Sequence, residues 1–265
     1  MSEPIILSSL RNQQVKDWRA LNKSREERSR QGIFLAEGEH MAMEALKTGK
    51  ACALLVCDTL TARYAQMLSE TRNQGIQTYL LPESVMNALS DAKTPQGVIA
   101  VCKLPAPEPL KSSDNEILVA LDDVQDPGNV GTILRTLDAA GFAGLVLTRG
   151  SADPFSPKAL RASMGAVFRI PIYISDFLPD TLSGLRSEGC EIMAGALHGE
   201  PFYSRGSDAK KICVVIGNEG AGISPGVLAC ATKRVTLPMR GGAESLNAAV
   251  ACAIILYDLI RTREK

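Results

Sequence analysis

No part of the chain restricts its fold more than residues 235–260, VTLPMRGGAESLNAAVACAIILYDLI. The segment opens as a short β-branched strand ending at Pro238, bends through Gly241-Gly242 and enters a helix at Ser245. Ser245 suits an N-cap, because its hydroxyl can accept a first-turn N–H that the helix leaves unpaired. The helix is apolar nearly all round, and Ala248, Ala249, Ala251, Cys252 and Ala253 let neighbouring backbone come close. Such a helix needs cover on most sides. It does not read as a membrane span, since the apolar run is short and Asn247 and Asp258 interrupt it. The glycine loop before it gives up backbone entropy while packing little surface. It is either a tight β–α turn or a loop shaped to take a ligand.

A chain of 265 residues can bury a substantial core, in one large or two ordinary domains. A hydrophobic content of 45% beside 22% charge fits a soluble globular protein. Formal net charge is zero, so any affinity for nucleic acid must come from local patches. The first residues lack the apolar run of a secretory signal, and the expectation is a cytoplasmic protein with no membrane partner. Seven cysteines lie far apart, mostly inside apolar runs such as ACALLVCD and KICVVIG. That spacing gives neither a disulfide framework nor a zinc site, so buried free thiols and no metal are expected.

Residues 9–30, SLRNQQVKDWRALNKSREERSR, read as a polar helical stretch in which Arg11, Lys16, Arg19, Lys23, Arg25, Arg28 and Arg30 outnumber the acids. Such a run is either a solvated helix face or a phosphate-contacting arm, for which Arg19, Arg25 and Arg28 are the candidates. Strands follow at IFLAEG, ALLVCD, IQTYLLP and GVIAVCKL, with helices near 39–47 and 61–71, a small α/β domain. His40 has no partner histidine nearby and reads as a capping or surface residue. Residues 103–116, KLPAPEPLKSSDNE, are the one clear break in composition and read as a linker. The expected domains are 1–105 and 112–265.

The second half alternates strands and helices in the pattern of a mostly parallel sheet. ILVALDDV is a buried strand that stops at acids; Asp126-Pro127-Gly128-Asn129 is turn chemistry; NVGTILRTLDAAG is a helix closed by Gly141. Arg135 lies one turn beyond Gly131 on the same helix face. GLVLT is a strand, and SPKALRASMG is a helix with Ser156 as N-cap, Pro157 at its first position, and Lys158 and Arg161 one turn apart. FRIPIYI is extended, the segment near 180–188 helical, EIMAGAL and ICVVIG core strands, and ISPGVLACA a short helix.

Three loops follow strand ends: DDVQDPGNVG, IGNEGAGIS and LPMRGGAESLN. In open α/β sheets ligands gather outside those ends. GNEGAG has the order GxxGxG rather than the dinucleotide GxGxxG, and no P-loop is present. A serine hydrolase would need GxSxG with a histidine partner, and the second half offers only His198.

Taken together, Asn129-x-Gly131-x-x-x-Arg135, Gly217-Asn218-Glu219-Gly220 and Pro238-Met239-x-Gly241-x-x-Glu244-Ser245-Leu246-Asn247 resemble the SpoU (TrmH-like) motifs. That is the RNA ribose 2′-O-methyltransferase group of the SPOUT superfamily, and the resemblance runs over residues 117–260. SPKALRASMGAVFRIP is similar to the family's inter-motif region. The N-terminal SLRNQQVKDWRAL and GIFLAEGEHMAMEAL resemble an attached substrate-binding domain. Asp138, where a small residue is commoner, and Leu237, where isoleucine is frequent, are the departures.

The resemblance implies a C-terminal trefoil knot, bound S-adenosylmethionine, a homodimer, and rRNA or tRNA as substrate. It implies a cofactor site at Ala196, Leu197, Gly217, Asn218, Gly220, Leu237, Met239, Ser245 and Leu246. It makes Arg135, Asn129, Glu219, Ser245 and Asn247 the catalytic candidates, with Lys158 and Arg161 as further RNA contacts. Each also has a plain structural alternative: a helix-face ion pair for Arg135, a cap for Ser245, a turn for Asn129, loop-tying for Glu219, first-turn hydrogen bonds for Asn247. Two other functions fit the chain less well, a nucleotide-cofactor oxidoreductase and an RNA-binding protein with a silent methylase fold.

Overall fold

The apolar runs become strands of two separate sheets. The computed structural model describes residues 3–106, 110, 117–204 and 209–263. One unit comprises Met1–Ala106 together with Phe155–Arg169, and the other Pro107–Pro154 with Ile170–Lys265. Most of the expected linker lies outside the described residues.

In the first unit the strands are β1 (Ile5–Ile6), β2 (Ile33–Glu37), β3 (Ala51–Cys57), β4 (Gln77–Leu81) and β5 (Val98–Lys103), ordered β1-β4-β3-β5-β2. β1, β4 and β3 run parallel, while β5 is antiparallel to β3 and β2. The helices are α1 (Gln13–Leu21), α2 (Arg25–Gln31), α3 (Glu39–Lys47), α4 (Ala65–Asn73) and α5 (Glu83–Leu89). β1 and α5 add to the elements read from the sequence pattern.

Residues 9–30 form two helices rather than one. Asn12 caps α1 by accepting the Gln14 N–H, and Ser24 caps α2 by accepting the Glu27 N–H. α1 buries Val15, Trp18 and Leu21, with the Trp18 ring edge-on to Tyr79 at 5.0 Å. Arg28 corrects an expectation: it is buried, and its guanidinium donates to the Leu21 carbonyl at the end of α1. A buried guanidinium joining two helices is a structural strut, closed to a phosphate. Arg19 is exposed and Arg25 half-buried.

The second unit holds β6 (Ile117–Asp122), α6 (Pro127–Ala140), β7 (Gly144–Thr148), β8 (Ile172–Ser175), α8 (Leu178–Ser187), β9 (Glu191–Pro201), β10 (Ile212–Gly217), α9 (Pro225–Cys230), β11 (Lys233–Thr236) and α10 (Ala248–Arg263). α7 (Pro157–Ser163) belongs to the first unit, where Phe155 and Phe168 lie 4.9 and 6.0 Å from the Phe34 ring. FRIPIYI is not extended throughout. Ala166–Phe168 is a 3-10 turn behind the left-handed pair Met164 and Gly165, and the strand starts only at Ile172. Ser156 sits at the N-cap position of α7, but its hydroxyl makes no capping bond.

The second sheet has the order β11-β9-β10-β6-β7-β8, and every pair in it is parallel. From β6 the chain builds outward through β7 and β8, then returns to add β9, β10 and β11 on the other side. The order therefore reverses between β6 and β10, where an open parallel sheet leaves a crevice at the strand C-termini.

α10 begins at Ala248, and Asn247 caps it rather than Ser245. The Asn247 carbonyl oxygen accepts the N–H groups of Ala249 (2.9 Å) and Val250 (3.2 Å), leaving Ser245 exposed in the loop. The helix buries Ala248, Ala249, Cys252, Ile255, Leu256 and Leu259 and packs on α6 and β10. Its other face stays open, with Val250 47% and Tyr257 51% exposed. The cover expected on most sides is not supplied by the chain itself. Burial also raises the Cys252 thiol to about 12.

Candidate active site

The three site loops follow β6, β10 and β11. β6 ends at Asp122, whose buried carboxylate accepts the Ser224 N–H of the β10–α9 loop at 2.7 Å. The Asp126 side chain then caps α6 by accepting the Gly128 N–H at 2.7 Å, with Pro127 at the first helical position. α6 thus begins two residues earlier than its sequence pattern suggests.

The three motif loops are joined by one chain of hydrogen bonds. Glu219 accepts the N–H groups of Gln125 (3.1 Å) and Asp126 (3.3 Å) and the side-chain amide of Asn129 (2.8 Å). The Asn129 carbonyl oxygen accepts the Asn247 amide at 2.9 Å, and the Asn247 oxygen caps α10. Every orientation follows from the first: an ionised carboxylate only accepts, so Asn129 must donate to it and Asn247 must donate to Asn129. Desolvation pushes the Glu219 carboxyl up. The bonds it accepts, from Asn129 first and then from backbone N–H groups, outweigh that and hold it below the usual carboxylate value.

Asn218 makes the second tie. Its amide donates to the Asp123 carbonyl at 2.8 Å, and its oxygen accepts the N–H groups of Gly220 and Ala221, each at 2.9 Å. Gly217 is required by the turn that follows, because a Cβ there would lie 2.3 Å from the Gly222 carbonyl carbon.

Arg135 lies on the exposed face of α6 with no hydrogen bond or ion pair among the described residues. Asn129, by contrast, is buried. Ser245 makes no hydrogen bond to a described residue.

Of the expected cofactor residues, Ala196 and Leu197 stand within β9, Gly217 ends β10, and the rest lie in the loops that follow β10 and β11. The β9–β11 register jumps from Ala194–Arg234 to Glu200–Val235, so residues 195–199 fall outside that ladder. Ala196 is half-buried there; the Leu197 side chain lies outside the described residues. Gly199 is a glycine for space, since a Cβ would come 2.6 Å from the Arg234 carbonyl oxygen. Leu237 is half-buried, while Met239 and Leu246 are each 37% exposed on the glycine loop. Half-buried and exposed apolar side chains on glycine-bearing backbone suit the faces and edge of a purine. Among the described residues no group of three or more His, Cys, Asp or Glu could hold a metal.

The residues expected to touch RNA all lie in the first unit. Lys158 is exposed, and Arg161 is paired with Asp91 at 2.7 Å on the surface. Sequence reasoning missed Asp122, Asp123 and the capping role of Asp126. The Asp-Pro pair was the available signal for the last of these.

Residues 116–257 match the family model of the SpoU rRNA methylase family, and residues 12–100 match an MRM3-like substrate binding domain. A 23S rRNA guanosine 2′-O-methyltransferase from Bacillus subtilis is 39% identical over 254 residues, covering 96% of this chain and 98% of its own length. An rRNA methyltransferase from Sinorhizobium meliloti, solved with bound AdoMet, superposes with TM-score 0.87 at 33% identity, covering 97% of each chain. A SpoU methyltransferase from Streptomyces viridochromogenes in complex with AdoMet superposes with TM-score 0.84 at 28% identity, covering 96% of this chain and 99% of that one.

Proposed function

This chain belongs to the SpoU rRNA methylase family, and on that premise we propose that it methylates a ribose 2′-hydroxyl of large-subunit rRNA. The observation that carries the reading is the Glu219–Asn129–Asn247 chain, which ties the three motif loops together at the helix that bears the exposed Arg135.

S-adenosylmethionine supplies an electrophilic methyl on a sulfonium, so the protein need only position the acceptor and manage its proton. Residues 195–199 at the β9–β11 register shift, the Asn218 turn, Leu237, Met239 and Leu246 fit an adenosine group, with Ser245 free to join. Arg135 grips a phosphate beside the target ribose through its planar fork and stabilises the developing alkoxide, while the 2′-proton leaves to water or to a phosphate oxygen. Glu219, Asn129 and Asn247 hold the loops that aim it. The first unit presents Arg19, Arg25, Lys158 and Arg161 toward RNA, in keeping with its match to a substrate binding domain.

The chain returning through its own loop, as a trefoil knot, belongs to the same reading, and what supports it is membership of the SpoU family. So does a cytoplasmic homodimer. Val250 and Tyr257 leave an apolar stripe on α10, next to the site loops, that a second copy would cover. Sedimentation of the full chain at micromolar concentration should give two chains, and Val250→Arg with Tyr257→Glu should give one.

Mapping ribose methylation in total RNA from cells with and without the chain tests the function itself. One 2′-O-methyl mark lost from large-subunit rRNA is expected. An unchanged map with RNA binding retained would favour the silent methylase, and saturable nicotinamide binding would favour the oxidoreductase.

A further inference from the structure

Asp123 is one of two non-glycine described residues with positive φ, at 57°, and it stands at the end of β6 where the loop to α6 begins. Left-handed backbone is unfavourable for an ordinary residue, although aspartate tolerates it better than most. Such strain persists only where surrounding contacts fix it.

Here three bonds do so, reaching two other loops. The Asp123 N–H donates to the Thr148 hydroxyl oxygen at 3.0 Å, and that hydroxyl donates back to the Asp123 carboxylate at 2.6 Å. The Asp123 carbonyl accepts the Asn218 amide. Gly150 leaves room for the carboxylate, since a Cβ there would lie 2.4 Å from its oxygen. The ends of β6, β7 and β10 therefore meet at one residue. Two residues later, Gln125 and Asp126 are held by Glu219, so the whole launch of α6 is pinned at both ends.

We infer that Asp123 is a positioning residue for methyl transfer: its left-handed turn, clamped by Thr148 and Asn218, sets the direction of α6 and so the aim of Arg135. The inference rests on the methyltransferase reading above. It makes Thr148 and Gly150 part of the same device, although neither lies in the three motifs.

The test uses the full chain, S-adenosylmethionine and protein-free large-subunit rRNA from cells lacking the chain. Asp123→Val, whose branched side chain resists the left-handed region and cannot accept from Thr148, should slow single-turnover transfer by about tenfold or more. Affinity for S-adenosylmethionine and the KM for RNA should stay within about twofold of the unsubstituted chain. Asp123→Asn keeps both the turn and the acceptor and should restore the rate. Thr148→Val, which removes only the hydroxyl, should fall between the two and serves if Asp123→Val does not fold. A purely structural role would lower the number of S-adenosylmethionine sites and leave the rate per site intact. That outcome, or a wild-type rate in Asp123→Val or Thr148→Val, overturns the inference alone. No transfer by the unsubstituted chain overturns the methyltransferase reading and this inference with it.

Discussion

Replacing Arg135 by alanine is expected to slow single-turnover methyl transfer by about 10²–10³-fold, the loss typical of removing one preorganised group from a developing oxyanion. S-adenosylmethionine should bind with unchanged affinity, because Arg135 is on α6 and the expected cofactor residues lie on the β9, β10 and β11 loops. Arg135→Lys should recover only part of the rate, since an ammonium keeps the charge and loses the bidentate fork. Among the described residues Arg135 has no ion-pair partner, so no described carboxylate is orphaned by the substitution. A wild-type rate in Arg135→Ala would remove the residue from the mechanism.

The second large effect is expected at Glu219. Its carboxylate faces only donors: two backbone N–H groups and the Asn129 amide. In Glu219→Gln an NH₂ must face at least one of them, and the donor-to-acceptor order through Asn129 and Asn247 loses its anchor. The Gln125 and Asp126 bonds are exposed, so water replaces part of what is lost and the cost stays near the low end, about 1 kcal/mol. A lower melting temperature and a transfer rate down by about tenfold or more are expected together. Acid titration separates charge from shape. The folded-state carboxyl is held below its ordinary value of 4.5, so its stabilisation is complete above that value and is lost as pH falls through the lower folded value. Thermal melts from neutral pH to about pH 3 should show this acid-side loss in the unsubstituted chain and a smaller one in Glu219→Gln. Equal slopes would mean that the carboxylate's charge is not what ties the loops.

Several features were set by local sequence. Near-continuous apolar runs such as ILVALD and ICVVIG can only be strands covered on both faces, which makes the second sheet parallel and places its loops at strand C-termini. Asp126-Pro127 and Gly141 fix both ends of α6 through bonds within a few residues. The polar residues of the motifs were legible too: Glu219 and Asn247 stand in loops and Asn129 in the first turn of α6, where polar side chains serve function or tie loops together.

Tertiary structure decided the matters in which several local choices were equal. Ser245 and Asn247 could each cap α10, and Asn247 takes the role because its amide also finds Asn129, 118 residues away in sequence. Arg28 reads as one more cation in a basic run until the break at Asn22 folds α2 back and buries its guanidinium. Residues 155–169 follow the first motif in sequence, yet Phe155 and Phe168 pack on Phe34, so a cut at residue 105 would strip cover from those rings. α10 is apolar all round in sequence, but a single chain covers only one of its faces. Periodicity states that an apolar surface must be covered. Which surface covers it depends on contacts between residues far apart in the chain, and composition and spacing do not encode these.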